Sequence, residues 1–157
     1  MGNNEIDILL VEDNPYEARL TIASLQEQNL ANRLHHVDDG AEALDFLFAR
    51  GQYEDRKGEL NPKLILLDLN LPKIGGLEVL EEIKSNESTK SIPVVILSSS
   101  KQDADVIAGY MLGVNSYVVK PVDFDVFSKA ISDLGSYWML LNESSTLLLL
   151  AKTRLVA

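Results

Sequence analysis

Short aliphatic runs alternate with amphipathic segments along the chain. Mostly apolar runs predict five strands, at residues 6–11, 34–37, 64–67, 92–97 and 116–119. The run at 34–37 is the weaker signal, and those at 64–67 and 92–97 are expected to be buried. After each run apolar residues recur at helical spacing, which predicts helices beginning near residues 15, 40, 77, 102 and 123. Strands that alternate with helices in this way are typical of a doubly wound α/β fold with a five-stranded parallel sheet.

Local signals refine the predicted helices and loops. Asp13 or Asn14 is expected to cap the first helix, with Pro15 in its first turn. The apolar face of the second helix is predicted to be Ala43, Leu44, Leu47 and Phe48. Residues 50–62 are polar and contain two glycines, so they are predicted to form a long loop. The last helix is predicted over residues 123–134, with a continuation toward residue 141.

The central aliphatic run organises the rest of the sequence. Four aliphatic residues at positions 64–67 lie between Pro62 and Pro72 and predict a strand that is buried on both faces. Asp68 follows this run, at the carboxyl end of the strand, where open α/β sheets bind their ligands. Aspartate is also common in turns and at helix caps, so Asp68 alone does not indicate a functional site. Residues elsewhere in the chain have to support that interpretation.

Composition excludes several classes of protein. The chain has 157 residues, of which 46% are hydrophobic, enough for one folded domain with a full core. Its net charge of −10 disfavours binding to nucleic acid. The absence of cysteine excludes disulfides and thiolate metal sites. No signal peptide or membrane-spanning run is found, so we expect a soluble, cytoplasmic protein without a membrane partner.

Polar residues follow the predicted strands and should meet at one edge of the sheet, because right-handed crossovers place all strand ends there. These residues are Glu12, Asp13, Asp68, Asn70, Ser98 and Lys120. Carboxylates that lie close together repel unless a cation neutralises them. Oxygen ligands without histidine or cysteine favour Mg²⁺, and Lys120 adds a fixed positive charge. An aspartate in this setting is equipped to accept a phosphoryl group.

Four motifs in order resemble the receiver domain of two-component response regulators. They are Glu12-Asp13, Asp68 within Asp-Leu-Asn-Leu-Pro, Ser98, and Tyr117-Val-Val-Lys120-Pro121. The resemblance covers roughly residues 6–134, and four motifs on the correct elements are far more specific than one. It implies a flavodoxin-like sheet in the order 2-1-3-4-5. It also implies a histidine kinase as phosphoryl donor, and a phosphoprotein that catalyses only its own phosphorylation and dephosphorylation.

The same resemblance implies a role for each site residue. Asp68 would be the phosphoacceptor, and Ser98 and Lys120 would bind the phosphoryl group. The Mg²⁺ ligands would be Asp13, Asp68 and the main-chain carbonyl of Asn70, with Glu12 acting through water. Tyr117 would turn inward as Ser98 engages the phosphate. Asn70 and Ser100 would flank the route of the attacking water and so set the phosphate lifetime.

Some positions differ from the family pattern, and two histidines have no role in it. Gly75-Gly76 stands where family members often carry an aspartate before glycine, which predicts a more mobile loop. Ser98 replaces the commoner threonine but keeps the hydroxyl. His35 and His36 are adjacent on the second strand and point to opposite faces, so they are interpreted as structural or surface residues.

The segment after the receiver is too short for a DNA-binding output domain. The receiver is predicted to cover residues 4–141 and a C-terminal tail residues 142–157. The long 50–62 loop, Ser136-Tyr137-Trp138 and the aliphatic tail resemble stand-alone regulators paired with phytochrome-type histidine kinases. Apolar runs at 137–141 and 147–150 predict a homodimer built through this C-terminal segment.

Two other classes of protein remain as alternatives. A phosphatase of the haloacid dehalogenase type also uses an aspartate nucleophile with Mg²⁺, but it needs a second aspartate where this chain has Asn70. A flavodoxin-like electron carrier needs a hydroxyl-rich phosphate loop after the first strand. Glu12 and Asp13 occupy that loop here and would repel the phosphate.

Overall fold

The computed structural model describes residues 6–30, 33–99, 102–120 and 123–141. Its five strands are β1 (Ile8–Val11), β2 (Leu34–Val37), β3 (Leu64–Asp68), β4 (Val94–Ser98) and β5 (Ser116–Val119). All pairings are parallel, in the order β2-β1-β3-β4-β5. The predicted doubly wound fold and its strand order are therefore confirmed.

Five α-helices connect and follow the strands. They are α1 (Pro15–Gln26), α2 (Gly40–Leu47), α3 (Gly76–Ser85), α4 (Asp103–Met111) and α5 (Phe124–Ser136). A π-helical turn at Tyr137–Leu141 continues α5, as the sequence predicted. No helix in the described segments is long and apolar enough to cross a bilayer.

Alternating side chains divide the apolar core between the two faces of the sheet. In β3, Ile65 and Leu67 pack in a cluster with residues of α2 and α3, whereas Leu64 and Leu66 pack in a second cluster with residues of α1 and α5. Every residue of β3 is buried, including Asp68. A carboxylate is thus held at the end of an otherwise fully apolar strand.

The first helix begins through a capping interaction that also orients the site. Asn14 Oδ1 accepts hydrogen bonds from the backbone amides of Tyr16 (2.9 Å) and Glu17 (3.1 Å), and Pro15 occupies the first helical position. Of the two predicted capping residues, Asp13 and Asn14, it is Asn14 that caps the helix. The cap fixes the first turn of α1, and with it Glu17, next to the carboxyl end of β1.

The predicted loop at residues 50–62 contains a 3₁₀ helix, Gly51–Arg56. The hydroxyl oxygen of Tyr53, in this helix, lies 2.9 Å from His35 Nε2. The same hydroxyl donates a hydrogen bond to Glu42 Oε1 at 2.6 Å. The His35 ring stacks on Phe46 with centroids 4.6 Å apart. Phe46 is therefore buried, while Phe48, which the helical spacing placed on the inner face of α2, is only partly buried.

The start of α3 packs closely against the end of β3. A Cβ atom on Gly76 would meet the carbonyl oxygen of Asp68 and would lie 2.6 Å from Leu69 Cα. Lys73, in the loop between β3 and α3, has a positive φ of 68° and pairs with Asp39 Oδ2 at 3.2 Å. Glycine at position 76 is thus required by contact with the backbone of the site, whereas the greater mobility of the loop before it stays a prediction.

Candidate functional site

Three carboxylates meet at the carboxyl edge of the sheet. Glu12 follows β1, Asp68 ends β3, and Glu17 lies in the first turn of α1. Each offers an oxygen atom within 4.8 Å of the others. Glu12 and Asp68 are buried, whereas the side chain of Glu17 is 38% exposed. This arrangement concentrates negative charge at one partly open point of the surface.

Lys120, directly after β5, neutralises part of this charge. Its Nζ atom lies 2.7 Å from Glu12 Oε1, 3.0 Å from Glu17 Oε2 and 3.4 Å from Asp68 Oδ2. The backbone amide of Lys120 donates to the carbonyl of Ser98 at 2.7 Å. This hydrogen bond holds the backbone of Lys120 against the end of β4. One ammonium group therefore serves three carboxylates.

Backbone amides bind the remaining oxygens of the two buried carboxylates. Asn70 N donates to Asp68 Oδ1 at 3.2 Å, and Asn14 N donates to Glu12 Oε2 at 3.2 Å. The ring of His36 donates from Nε2 to the main-chain carbonyl of Glu12 at 2.7 Å. The loop after β1 is thus held from the side of β2, and His36 has the structural role that the sequence suggested.

Burial and crowding change the proton affinity of the site. Burial and a hydrogen bond with Asp68 raise the pKa of Glu12 well above its usual range, and Lys120 offsets this only in part. Burial alone would lower the pKa of Lys120, but the hydrogen bond to Glu12 and the charge of Asp68 raise it instead. The folded protein thus binds a proton at Glu12 more tightly than the unfolded chain does. This carboxyl group consequently costs stability as the pH rises above its ordinary pKa.

The two predicted switch residues share one face of the sheet. Ser98 ends β4 and is fully buried. Tyr117 of β5 pairs in register with Ile96, so its side chain and that of Ser98 point to the same side. The Tyr117 ring is half-buried and packs near Gly109 of α4. Movement of Ser98 and movement of Tyr117 would therefore affect the same layer between the sheet and α4.

The remaining predicted site residues lie around this centre. Asp13 and Asn70 are exposed in the loops after β1 and β3. Ser100 lies outside the described residues. Glu17 was missed by the sequence analysis, although Asn14 as cap and Pro15 at the first helical position place residue 17 in the first turn, beside the strand end.

The donor set fits a divalent cation. Carboxylate oxygens without sulfur or imidazole ligands are typical of sites for hard cations. Burial, and next the hydrogen bond with Asp68, raise the pKa of Glu12 despite the nearby ammonium group of Lys120, so a further cation would favour its charged form. Glu12, Glu17 and Asp68 form an acidic pocket of this kind, with oxygen atoms close enough together to hold one ion.

A sequence model of the response regulator receiver domain matches residues 8–132. The chain belongs to the response regulator receiver family. Members are phosphoacceptor signalling proteins, and this receiver carries the family's acidic pocket at the carboxyl edge of its sheet.

Its similar relatives include regulators associated with phytochromes. Response regulator Rcp1 of Synechocystis sp. is 43% identical over 132 residues, which cover 84% of this chain and 88% of Rcp1. The crystal structure of the phosphorylated cyanobacterial phytochrome response regulator RcpA superposes with a TM-score of 0.83 at 37% identity, covering 90% of this chain and 99% of RcpA. The bacteriophytochrome response regulator RtBRR is 50% identical with a TM-score of 0.72, covering 89% of this receiver and 84% of RtBRR. Rcp1 has also been solved in a Mn²⁺-bound form.

Proposed function

We propose that Asp68 is the phosphoacceptor of this receiver. The observation that carries the proposal is the position of its carboxylate, at the end of a buried strand and 3.4 Å from Lys120 Nζ within the acidic pocket. An Asp68 oxygen forms a bond to phosphorus as the P–N bond of a phosphohistidine breaks, and the imidazole nitrogen keeps the bonding electrons. The product is an aspartyl phosphate.

Neighbouring residues support this transfer by charge and orientation. Lys120 and Ser98 are proposed to bind the phosphoryl oxygens, since Ser98 ends β4 and Lys120 directly follows β5, at the carboxyl edge of the sheet. Asp13, Asp68 and the carbonyl of Asn70 are proposed to hold Mg²⁺, with Glu12 acting through water. The ion, when bound, would supply positive charge that stabilises the transferring phosphoryl group. Asn70 and Ser100 are proposed to set the lifetime of the phosphate.

Intact mass spectrometry tests the phosphoacceptor. After incubation with acetyl phosphate and Mg²⁺, the wild-type protein should gain the mass of one phosphoryl group, and Asp68→Asn should gain none because an amide oxygen is a poor nucleophile. Chelation of Mg²⁺ should prevent the gain. Asp133→Asn, which removes an exposed carboxylate of α5, is the matched control and should react like the wild type. A mass shift that persists in Asp68→Asn would refute the proposal.

Phosphorylation is proposed to shift a two-state equilibrium that involves Ser98 and Tyr117. In the phosphorylated state Ser98 bonds to the phosphate and Tyr117 turns inward, because these contacts exist in one state only. Amide NMR spectra with and without beryllofluoride should therefore differ at α4, β5 and α5. Tyr117→Ala should reduce the differences at α4 and leave those next to Asp68. Identical spectra for α4, β5 and α5 would contradict the switch.

The phosphoryl donor is proposed to be a histidine kinase of the phytochrome type. Support comes from two similar proteins, since RcpA is a phytochrome response regulator and RtBRR is a bacteriophytochrome response regulator. The phosphatase alternative lacks support in this chain, because Asn70 occupies the position where that class needs an acidic residue. Family membership also favours a phosphoacceptor over a phosphatase or a flavin carrier.

The C-terminal segment is proposed to form a homodimer. Within the described residues, Trp138 and Met139 pack against the protomer's own core, whereas the side chains of Tyr137 and Leu140 are exposed. The tail at 142–157, with its apolar run at 147–150, lies outside the described residues. Burial of Tyr137, Leu140 and that run between two copies would remove an apolar patch from water.

Light scattering tests the dimer. The full-length chain should have the mass of a dimer, and a truncation after Asn142 should be monomeric, because it lacks the apolar run at 147–150. Leu140→Asn should weaken the dimer and leave the fold unchanged, since this side chain is 71% exposed. A monomeric full-length chain, or a truncation that dimerises equally well, would show that the tail has no such role.

A further inference from the structure

Glu17 differs from the other carboxylates of the pocket in its freedom to move. It lies in the first turn of α1, and its Oε2 atom is 3.0 Å from Lys120 Nζ. The side chains of Glu12 and Asp68 are 3% and 8% exposed, but that of Glu17 is 38% exposed. Of these three partners of Lys120, Glu17 is therefore the one that can turn toward water without moving a strand.

The three contacts of Lys120 engage its full donor capacity. An ammonium group has three N–H donors, and Glu12, Glu17 and Asp68 each lie within hydrogen-bond distance of Nζ. A phosphoryl group that arrives at Asp68 needs N–H donors from Lys120. Glu12 is buried and fixed by the amide of Asn14, so the donor that is released most easily is the one held by Glu17.

A cavity of about 400 Å³ between α1 and α5 adjoins this ion pair. Its lining includes Glu17 and Lys120 together with Tyr16, Ser99 and Phe124. A phosphodonor that approaches Lys120 through this cavity meets the negative charge of Glu17. The repulsion grows with the negative charge of the donor, and it is weak in high salt.

We propose that Glu17 is a specificity-determining residue that disfavours free anionic phosphodonors by holding Lys120 and by placing a negative charge beside the cavity. A phosphohistidine on a protein gains binding energy from the surface around it, which offsets the displacement of Glu17. A small free donor has no such surface. This inference rests on the proposed function of Asp68 and assigns no metal contact to Glu17.

Two small phosphodonors of different charge distinguish electrostatic exclusion by Glu17 from a general change in reactivity of the site. Acetyl phosphate is a dianion at neutral pH, and its transfer breaks the bond between phosphorus and the acetyl oxygen, so that acetate leaves with the bonding electrons. Phosphoramidate is a monoanion because its nitrogen is protonated, and its P–N bond breaks so that ammonia leaves. In both reactions the new bond joins phosphorus to an Asp68 oxygen.

The experiment measures phosphorylation rates with both donors at low salt and saturating Mg²⁺. Glu17→Gln should accelerate the reaction with acetyl phosphate by about 3- to 10-fold, the effect of one unit charge in a partly solvated site. The gain should be smaller with phosphoramidate and should shrink for both donors in high salt. Glu27→Gln, the same change at an exposed position at the other end of α1, should leave both rates unchanged.

Three results would overturn the inference. Equal changes with the two donors would indicate a structural effect, and slower reaction of Glu17→Gln with acetyl phosphate would show that Glu17 assists transfer. Calorimetry gives the third: a Mg²⁺ affinity that falls as far in Glu17→Gln as in Asp13→Asn would assign Glu17 to the metal site. If the wild type reacts with neither donor, the proposed function fails. If it reacts and Glu17→Gln is no faster, only this inference fails.

Discussion

Replacement of Lys120 by methionine is expected to lower the free energy of unfolding by roughly 2–3 kcal/mol in metal-free buffer at neutral pH. Removal of one partner from a buried ion pair leaves uncompensated charge, which commonly costs about 3–5 kcal/mol. The loss should lie at or below the low end of that range, because Glu17 can turn toward water. The phosphorylation rate should also fall by about 100-fold or more, since a charged donor to the phosphoryl group is lost.

Urea denaturation and phosphorylation kinetics measure the two effects of Lys120→Met. The stability loss should grow as the pH rises above about 8, because burial raises the pKa of Glu12 to about 8 and Lys120 then balances the charge of the ionised carboxylate in the wild type only. Lys129→Met is the matched control. Its ammonium group is exposed and pairs with Asp133 on the same helix, so its loss should change stability by about 0.5 kcal/mol or less. A Lys120→Met protein as stable as the wild type would contradict the account of the pocket.

Replacement of Gly76 by alanine is expected to destabilise the protein and to impair phosphorylation together. The added Cβ would meet the carbonyl oxygen of Asp68, and it would lie 2.6 Å from Leu69 Cα and 3.0 Å from Leu69 O. These atoms are backbone, so the strand end or the start of α3 has to move. Overpacking of this kind costs about 1–3 kcal/mol or more, which exceeds the gain in helix propensity of up to about 1 kcal/mol.

Gly75→Ala is the matched control for Gly76→Ala. A Cβ at position 75 would have no atom within 4 Å, and the residue has a φ of −67° that alanine adopts readily. Its stability and phosphorylation rate should therefore remain close to those of the wild type. Thermal unfolding and acetyl phosphate kinetics compare the two variants. Equal tolerance at both positions would show that the packing of Gly76 does not fix the phosphoacceptor.

Strands β1, β3 and β4 could be predicted because each is an apolar run that is buried on both faces. The edge strands β2 and β5 are only partly buried, and their alternation with helices indicated them. The prediction errors lie at the strand ends, where a single polar residue or proline determines at which residue the strand begins or ends. β1 begins after Asp7, whose carboxylate pairs with Arg33 at 3.0 Å instead of entering the core. β4 begins after Pro93, which lacks the N–H needed for a ladder. It includes Ser98, a small polar residue that the hydrophobic pattern had excluded.

Features that depend on tertiary contact could not be predicted in this way. The 3₁₀ helix at Gly51–Arg56 lacks an apolar periodicity, and Tyr53 anchors it through His35 and Glu42 on separate elements. Phe46 is buried because Tyr53 of this 3₁₀ helix and the His35 ring pack against it.

The grouping of Glu12, Asp68 and Lys120 followed from topology, since parallel strands end at one edge. Glu17 belongs to a helix, and its participation depends on the cap at Asn14 and on the reach of Lys120. A rule that examines the first turn of the helix after each strand would have found it.

Direct identification of the phosphorylated residue is the most direct test of the central claim. After reaction with acetyl phosphate and Mg²⁺, borohydride reduces an aspartyl phosphate to homoserine, and tandem mass spectrometry of the peptides locates the change. The structure predicts homoserine at position 68 and aspartate retained at position 13. Homoserine at position 13, or a phosphorylated protein without homoserine at position 68, would contradict the assignment of Asp68 as phosphoacceptor.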